Sequence, residues 1–156
     1  MSAAAASASA APRGRRLSPL LIAIIIVALI GLADAAYLTY EHYDGLRSLA
    51  CSTKGVGGHS SCYDVQSSVW SKVDGVSVAL LGLIGYVLLL LSLLLRGDTG
   101  RAVTFGIALA GFLFSMYLTF REAFTMHEYC EWCLGSATAL TILMVLTGIR
   151  FIRGGP

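Results

Sequence analysis

Apolar residues fall into four long runs, at residues 17–37, 76–95, 102–120 and 134–152. At about 1.5 Å of rise per helical residue, the first run extends about 31 Å, the hydrocarbon thickness of a bilayer. A cleaved signal peptide carries an apolar region of only about 7 to 15 residues, so this run reads as a retained span. Polar residues collect between the runs. Residues 38–75 form a long segment rich in Gly and Ser, 96–101 a short basic turn, and 121–129 a second short loop. The pattern predicts an all-α integral membrane protein, a four-transmembrane-helix bundle with one large loop. Within that loop Val65, Val69 and Val73 recur at every fourth position, with Trp70 beside them. That spacing predicts a short amphipathic helix over 64–73, lying on the membrane as a lid over the outer span ends. Residues 1–12 are mostly Ala and Ser, and residues 1–16 read as a disordered tail preceding one membrane domain, 17–152.

Composition strengthens this reading. The chain has 156 residues, of which 56% are hydrophobic and only 13% charged, a membrane balance and not a soluble one. The net charge of +2 names no partner, and Lys and Arg are not interleaved with aromatics on any polar segment, so nucleic-acid binding has no support. The distribution of charge says more. Arg13, Arg15, Arg16, Arg96, Arg101, Arg150 and Arg153 fall on the side of the termini, against Arg47, Lys54, Lys72 and Arg121 on the other. By the positive-inside rule both termini are cytoplasmic. The polar segments at 38–75 and 121–133 then face the extracytoplasmic side. Asp34, near the outer end of the first run, reads as an acid snorkelling to the interface. Tyr37-Leu38-Thr39-Tyr40 and Tyr117-Leu118-Thr119-Phe120 close the first and third runs alike, as an aromatic belt at one interface.

The candidate chemistry is sulfur. All four cysteines, Cys51, Cys62, Cys130 and Cys133, lie in or beside the extracytoplasmic segments and none lies mid-span. In bacteria that compartment is oxidising. Cys130-Glu131-Trp132-Cys133 opens the fourth run. Its sulfurs lie within one helical turn, close enough for a small disulfide, and at a helix N-terminus, which favours a thiolate. A zinc half-site is an alternative, but ten residues intervene between Cys51 and Cys62, whereas zinc knuckles place only two to four between their ligands. Static disulfides are another, and a redox pair is the favoured reading. The Gly-rich stretch between Cys51 and Cys62 gives the loop the freedom a shuttle needs, and a structural disulfide would also fit there. Glu128, Glu131, Arg121 and His127 flank the pair and either tune its thiolates or are ordinary loop charges.

Cys51 and Cys62, Ser67-Ser68 beyond them, Ala79-Leu80-Leu81-Gly82-Leu83-Ile84-Gly85-Tyr86 in the second run, and Tyr129-Cys130-Glu131-Trp132-Cys133 together resemble the vitamin K epoxide reductase family in its bacterial disulfide-forming form. The resemblance covers about residues 20–152. It implies that Cys130 and Cys133 are the active-site pair, with Cys133 the thiolate nearest a quinone ring. It implies that Cys51 and Cys62 are shuttle cysteines, Cys51 exchanging with a secreted partner and Cys62 passing electrons to Cys130. Ser68 matches a serine near the quinone pocket. There are departures from the pattern. Val78 and Ala137 stand where vitamin K-processing members carry Asn and Tyr, two hydrogen-bonding groups for the headgroup, and Ser77 stands where bacterial members usually carry Pro.

The resemblance thus implies a thiol:quinone oxidoreductase of the bacterial inner membrane, with a quinone (ubiquinone or menaquinone) as acceptor and no metal. Its partner would be a separate, DsbA-like thioredoxin-fold protein, so that the chain drives extracytoplasmic disulfide formation. The alternatives are a quinone or quinone-epoxide reductase acting for the quinone's sake, and a non-catalytic membrane scaffold stapled by disulfides.

Overall fold

The computed structural model describes residues 18–46, 49–52, 54, 58–127 and 129–154. The expected tail at 1–16, with its three arginines, lies outside the described residues, as do Arg47, Glu128 and much of the stretch between Cys51 and Cys62.

The chain opens with α1, Pro19–Tyr43. Ser18 caps it by accepting from the Leu21 N–H at 3.3 Å, and Pro19 occupies the first turn, where its missing N–H costs nothing. The helix continues six residues beyond the apolar run that ends at Tyr37, so the long loop begins later than hydropathy alone places it. Leu21, Ile24, Ala28, Gly31, Ala35 and Leu38 form its buried face at helical spacing. Gly31 is required there: the Tyr86 ring lies where a Cβ would stand.

The loop holds a short helix, α2 (Ser61–Ser67), then one 3-10 turn (Val69–Ser71) and a small hairpin, β1 (Lys72–Val73) with β2 (Val76–Ser77). The expected amphipathic helix over 64–73 is therefore corrected. Val65 is buried, but Val69 is 81% exposed and Val73 is also exposed. Ser68 ends the helix in an extended conformation, and Asp74 and Gly75, both at positive φ, turn the chain back on itself. The fourfold valine spacing thus crosses two different structures.

Because Val76 and Ser77 belong to the hairpin, α3 spans only Val78–Ser92. Its end tightens, with the N–H groups of Leu93, Leu94 and Leu95 each reaching a carbonyl three residues back. The basic turn is shorter than expected, since α4, Gly97–Arg121, begins inside it; Asp98 and Arg101 pair at 2.7 Å on its first turn. A π-helical turn, Glu122–Met126, prolongs α4 into the expected loop, and α5, Glu131–Ile152, completes the bundle.

α5 packs along α4 and α1, and α3 closes the bundle against α1 and α4. The core is Ile24, Ala28, Tyr86, Leu89, Ala108 and Leu143 with their neighbours. A polar clasp crosses it, with the hydroxyls of Ser92 and Thr104 2.8 Å apart between α3 and α4. The outer surface carries exposed Ile26, Ile30, Leu88, Leu91, Leu113 and Phe120, as a lipid-facing surface does. Three helices, Pro19–Tyr43, Gly97–Thr125 and Glu131–Ile152, are long and apolar enough to cross a membrane, and Val78–Ser92 is a shorter apolar helix.

Candidate functional site

Cys130 is the N-cap of α5. Its extended backbone leaves the sulfur free to accept from the Cys133 N–H at 3.4 Å, while its carbonyl accepts from Leu134 at 3.0 Å. Cys133 follows one turn later. The two sulfurs are free thiols, whereas Cys51 and Cys62 are joined in a disulfide. Hydrogen bonding from the Cys133 thiol, helped by the backbone of Cys133 and Trp132, holds Cys130 below the ordinary thiol range, against the upward push of burial and of the Glu122 charge. The expectation of a favoured thiolate at the helix mouth therefore applies to Cys130.

The disulfide lies against this pair. Cys62 and Cys130 are both fully buried in one small cluster with Val65, bordered by Leu49, Cys51, Trp132 and Cys133. What brings the loop there is a set of contacts made by the two residues between the cysteines of the pair. Trp132 donates its indole N–H to the Ala50 carbonyl at 2.6 Å and packs on Tyr37, with ring centroids 4.7 Å apart. The Glu131 carboxylate accepts from the Ser52 N–H at 3.2 Å and from its hydroxyl at 3.3 Å. Tyr37 accepts from the Ala50 N–H at 3.1 Å, and Ser61 donates to the Tyr129 carbonyl at 2.8 Å. Glu131, expected to tune thiolates or to be an ordinary charge, is a clamp on the loop.

Cys133 faces the other way, into a cavity of about 180 Å³ lined by residues of α1, α2, α3, α4 and α5. Its walls are mostly apolar: Leu38, Val78, Leu89, Ile107, Phe114 and Leu140. Polar groups are few. Gln66 donates toward the Cys133 sulfur at 3.7 Å. Tyr86 and Ser136 meet through their hydroxyls at 3.0 Å on the wall. Trp70 stacks beneath the Arg121 guanidinium, 3.8 Å from the ring centroid, and both border the cavity. Ser68 also lines it, with its hydroxyl donating to the Val65 carbonyl at 2.7 Å. An apolar chamber with a thiol at one end and hydroxyls on its wall fits a flat, apolar ring bearing hydrogen-bond acceptors.

The structure thus gathers all four cysteines and Ser68 into one region. It adds four residues that sequence reasoning passed over. Gln66 and Ser136 sit among ordinary loop and helix residues and carried no signal. Tyr86 entered only as the last residue of the second-run stretch that carries the family resemblance, with no role given to it. Glu122 offered one signal, an acid at the end of the third run beside Arg121. Val78, where vitamin K-processing members carry Asn, lines the cavity, and Ala137 is absent from its lining. Asp34 borders a second, shallower cavity beside Trp132, and one of its carboxyl oxygens has no hydrogen-bond partner among the described residues.

Four features therefore occur together: membrane-spanning apolar helices, a Cys-x-x-Cys capping the last of them, a loop disulfide packed against that pair, and an apolar cavity fronting its second sulfur. The family model of the vitamin K epoxide reductase family matches residues 22–148, which include all four cysteines and the helices around them, and the chain belongs to that family.

Proposed function

We propose that this protein is a thiol:quinone oxidoreductase that reoxidises a separate thioredoxin-fold protein outside the cytoplasm and so drives disulfide formation there. Family membership supports quinone-linked thiol oxidoreductase activity with a thioredoxin-like partner. The observation that carries the finer reading is the burial of the Cys51–Cys62 disulfide beside Cys130, with Cys133 turned to the apolar cavity. In this reading α3 spans the bilayer as a fourth helix, both termini are cytoplasmic, all four cysteines face outward, and the membrane is a bacterial inner membrane.

The chemistry is disulfide exchange in series. A partner thiolate attacks Cys51, and Cys62 leaves; the partner's second cysteine resolves the mixed disulfide. Cys62 then attacks Cys130 of the oxidised inner pair, and Cys133 leaves toward the cavity, where the Gln66 amide N–H stabilises the departing sulfur. Cys51 resolves the Cys62–Cys130 bond. This restores the outer disulfide and leaves Cys130 and Cys133 as thiols, the pairing described above. A quinone held among Leu38, Ser68, Trp70, Tyr86 and Ser136 supplies a two-electron, two-proton acceptor. The cavity walls exclude water and orient the ring against Cys133.

The test is quinone reduction by purified protein with a reduced thioredoxin-fold substrate, comparing wild type with Cys133→Ala. The expected result is turnover in the wild type and none in the variant. Cys62→Ala is expected to accumulate a Cys51-linked adduct with the partner. Equal background rates in both proteins, each folded, would overturn the catalytic reading.

A further inference from the structure

Glu122 is a buried acid that the exchange chemistry above does not use. It begins the π-helical turn that follows α4, is only 6% exposed, and borders the cavity that Cys133 borders. Its carboxyl group faces the Cys130 backbone and the Cys133 thiol. One of its oxygens, Oε2, has no hydrogen-bond partner among the described residues. A carboxylate in such a place is costly unless it is paired or takes up a proton, and an acid kept there despite that cost marks a candidate proton site. The neighbouring cation does not neutralise it: the Arg121 side chain lies over Trp70 and donates to the Tyr117 hydroxyl at 3.3 Å. The other titratable groups near the pair are Cys130 and Asp34: Cys130 also accepts from the Cys133 thiol, but its sulfur is the one that joins Cys133 in the disulfide, and Asp34 does not line the cavity that Glu122 and Cys133 share. A π-turn at this point is also informative, because the extra residue re-aims side chains relative to a regular helix. Here the turn begins at Glu122, whose side chain borders the cavity.

We infer that Glu122 is a catalytic residue of the quinone step, carrying the Cys133 proton to the quinone oxygen; this rests on the reaction proposed above. The balance is as follows. Cys130 enters as the thiolate, its proton already lost to solvent. The Cys133 S–H bond breaks and its proton passes to the Glu122 carboxylate. The Cys130–Cys133 S–S bond forms as two electrons pass to the ring. Glu122 returns its proton to one ring oxygen and ends ionised as it began. A proton from solvent reaches the other oxygen and completes the hydroquinone. The unpartnered Oε2 is the atom that holds the proton in transit.

Glu122→Gln keeps the shape and removes the proton-carrying function, and Glu122→Asp keeps the function on a shorter arm. Quinone reduction by Glu122→Gln is expected to fall in kcat by about 100-fold, with KM for the quinone nearly unchanged, and Glu122→Asp is expected to recover part of the loss. A second readout needs no quinone: the infrared difference spectrum between the dithiol and disulfide states of the Cys130–Cys133 pair. A carboxylate band that shifts as the Cys133 S–H beside Glu122 is lost on oxidation, vanishes in Glu122→Gln and moves in Glu122→Asp supports the relay. If Glu122→Gln fails to insert, the Asp variant carries both readouts. An unchanged kcat in the Gln variant, or a wild-type spectrum without a carboxylate band that shifts between the two states, overturns the inference. A wild-type protein that shows the band yet reduces no quinone overturns the proposed function while leaving the Glu122–Cys133 proton exchange standing.

Discussion

The indole of Trp132 ties the outer disulfide to the inner pair, and removing it should slow the transfer between them. Two interactions are lost in Trp132→Ala: the 2.6 Å hydrogen bond to the Ala50 carbonyl and the contact with Tyr37. A hydrogen bond of this kind contributes about 1 kcal/mol net, and an aromatic pair about another 1 kcal/mol. About 2 kcal/mol corresponds to roughly a 30-fold fall in the ratio of docked to undocked loop. Trp132→Phe keeps the ring contact and loses only the hydrogen bond, so about a fivefold fall is expected. The transfer in question is from the Cys51–Cys62 dithiol to the Cys130–Cys133 disulfide. It is read by reducing the outer pair with a fast pulse, quenching with an alkylating reagent, and following which cysteines are labelled with time. The rate should fall in the order wild type, Phe, Ala. Reduction of Cys51 by the partner, which needs the loop accessible, should not slow. The reasoning is refuted if both variants transfer at the wild-type rate, or if the partner step slows and the internal step does not.

Two further outcomes follow from the same contacts. Gly31→Ala places a methyl group against the Tyr86 ring and should cost about 1 to 3 kcal/mol in denaturation of the detergent-solubilised protein; in a Tyr86→Ala background the same change should cost much less, and equal costs in both would refute the assigned contact. The Cys130 thiol, held low chiefly by Cys133, should alkylate with a midpoint below the ordinary thiol value of about 8.5. Its reactivity should therefore persist below that pH and fade only as pH drops through the lowered value. Cys133→Ala removes the main cause, so the midpoint should climb toward the ordinary value, and a midpoint that stays put would refute that cause.

Much of the architecture was legible because it rests on periodicities that survive folding. The apolar runs became helices because lipid leaves the backbone no other economical choice. Cys130 as a helix N-cap followed from two cysteines at the mouth of an apolar run. The loop was legible only in part. Val65, Val69 and Val73 imitate one helical face, but Ser68 turns the backbone extended, and Asp74-Gly75 builds a hairpin that also takes Val76 and Ser77 from the expected second span. Local turn chemistry won over a weak period. Glu122, Gln66 and Ser136 were unreadable for a different reason: their importance lies in being brought to one cavity by three separate elements, and no local spacing encodes that. Glu131 stayed open between thiolate tuning and an ordinary loop charge, because its carboxylate is engaged with Ser52, 79 residues away in the chain, and nothing local shows that.

The position of Glu131 and Trp132 has a mechanical consequence. Both lie between the cysteines of the inner pair, and both hold the segment that carries Cys51. The side chains that dock the shuttle are thus on the same helical turn whose sulfurs change state. When Cys130 and Cys133 are thiols, Cys130 caps the helix by accepting from the Cys133 N–H. When they form a disulfide, the Cys130 sulfur is bonded to that of Cys133, and it is a weaker acceptor for the same N–H. The turn must adjust, and Glu131 and Trp132 adjust with it. Docking of the loop and the redox state of the pair are therefore linked by covalent adjacency, and linkage is reciprocal: whichever state of the pair holds the loop more tightly is itself favoured by the docked loop. Proteolytic nicking of the loop between Cys51 and Cys62 should accordingly occur at different rates in the dithiol and disulfide states of Cys130–Cys133, and Glu131→Ala with Trp132→Ala should abolish the difference. Equal rates in the unsubstituted protein would mean that the turn absorbs the change without moving its two clamps.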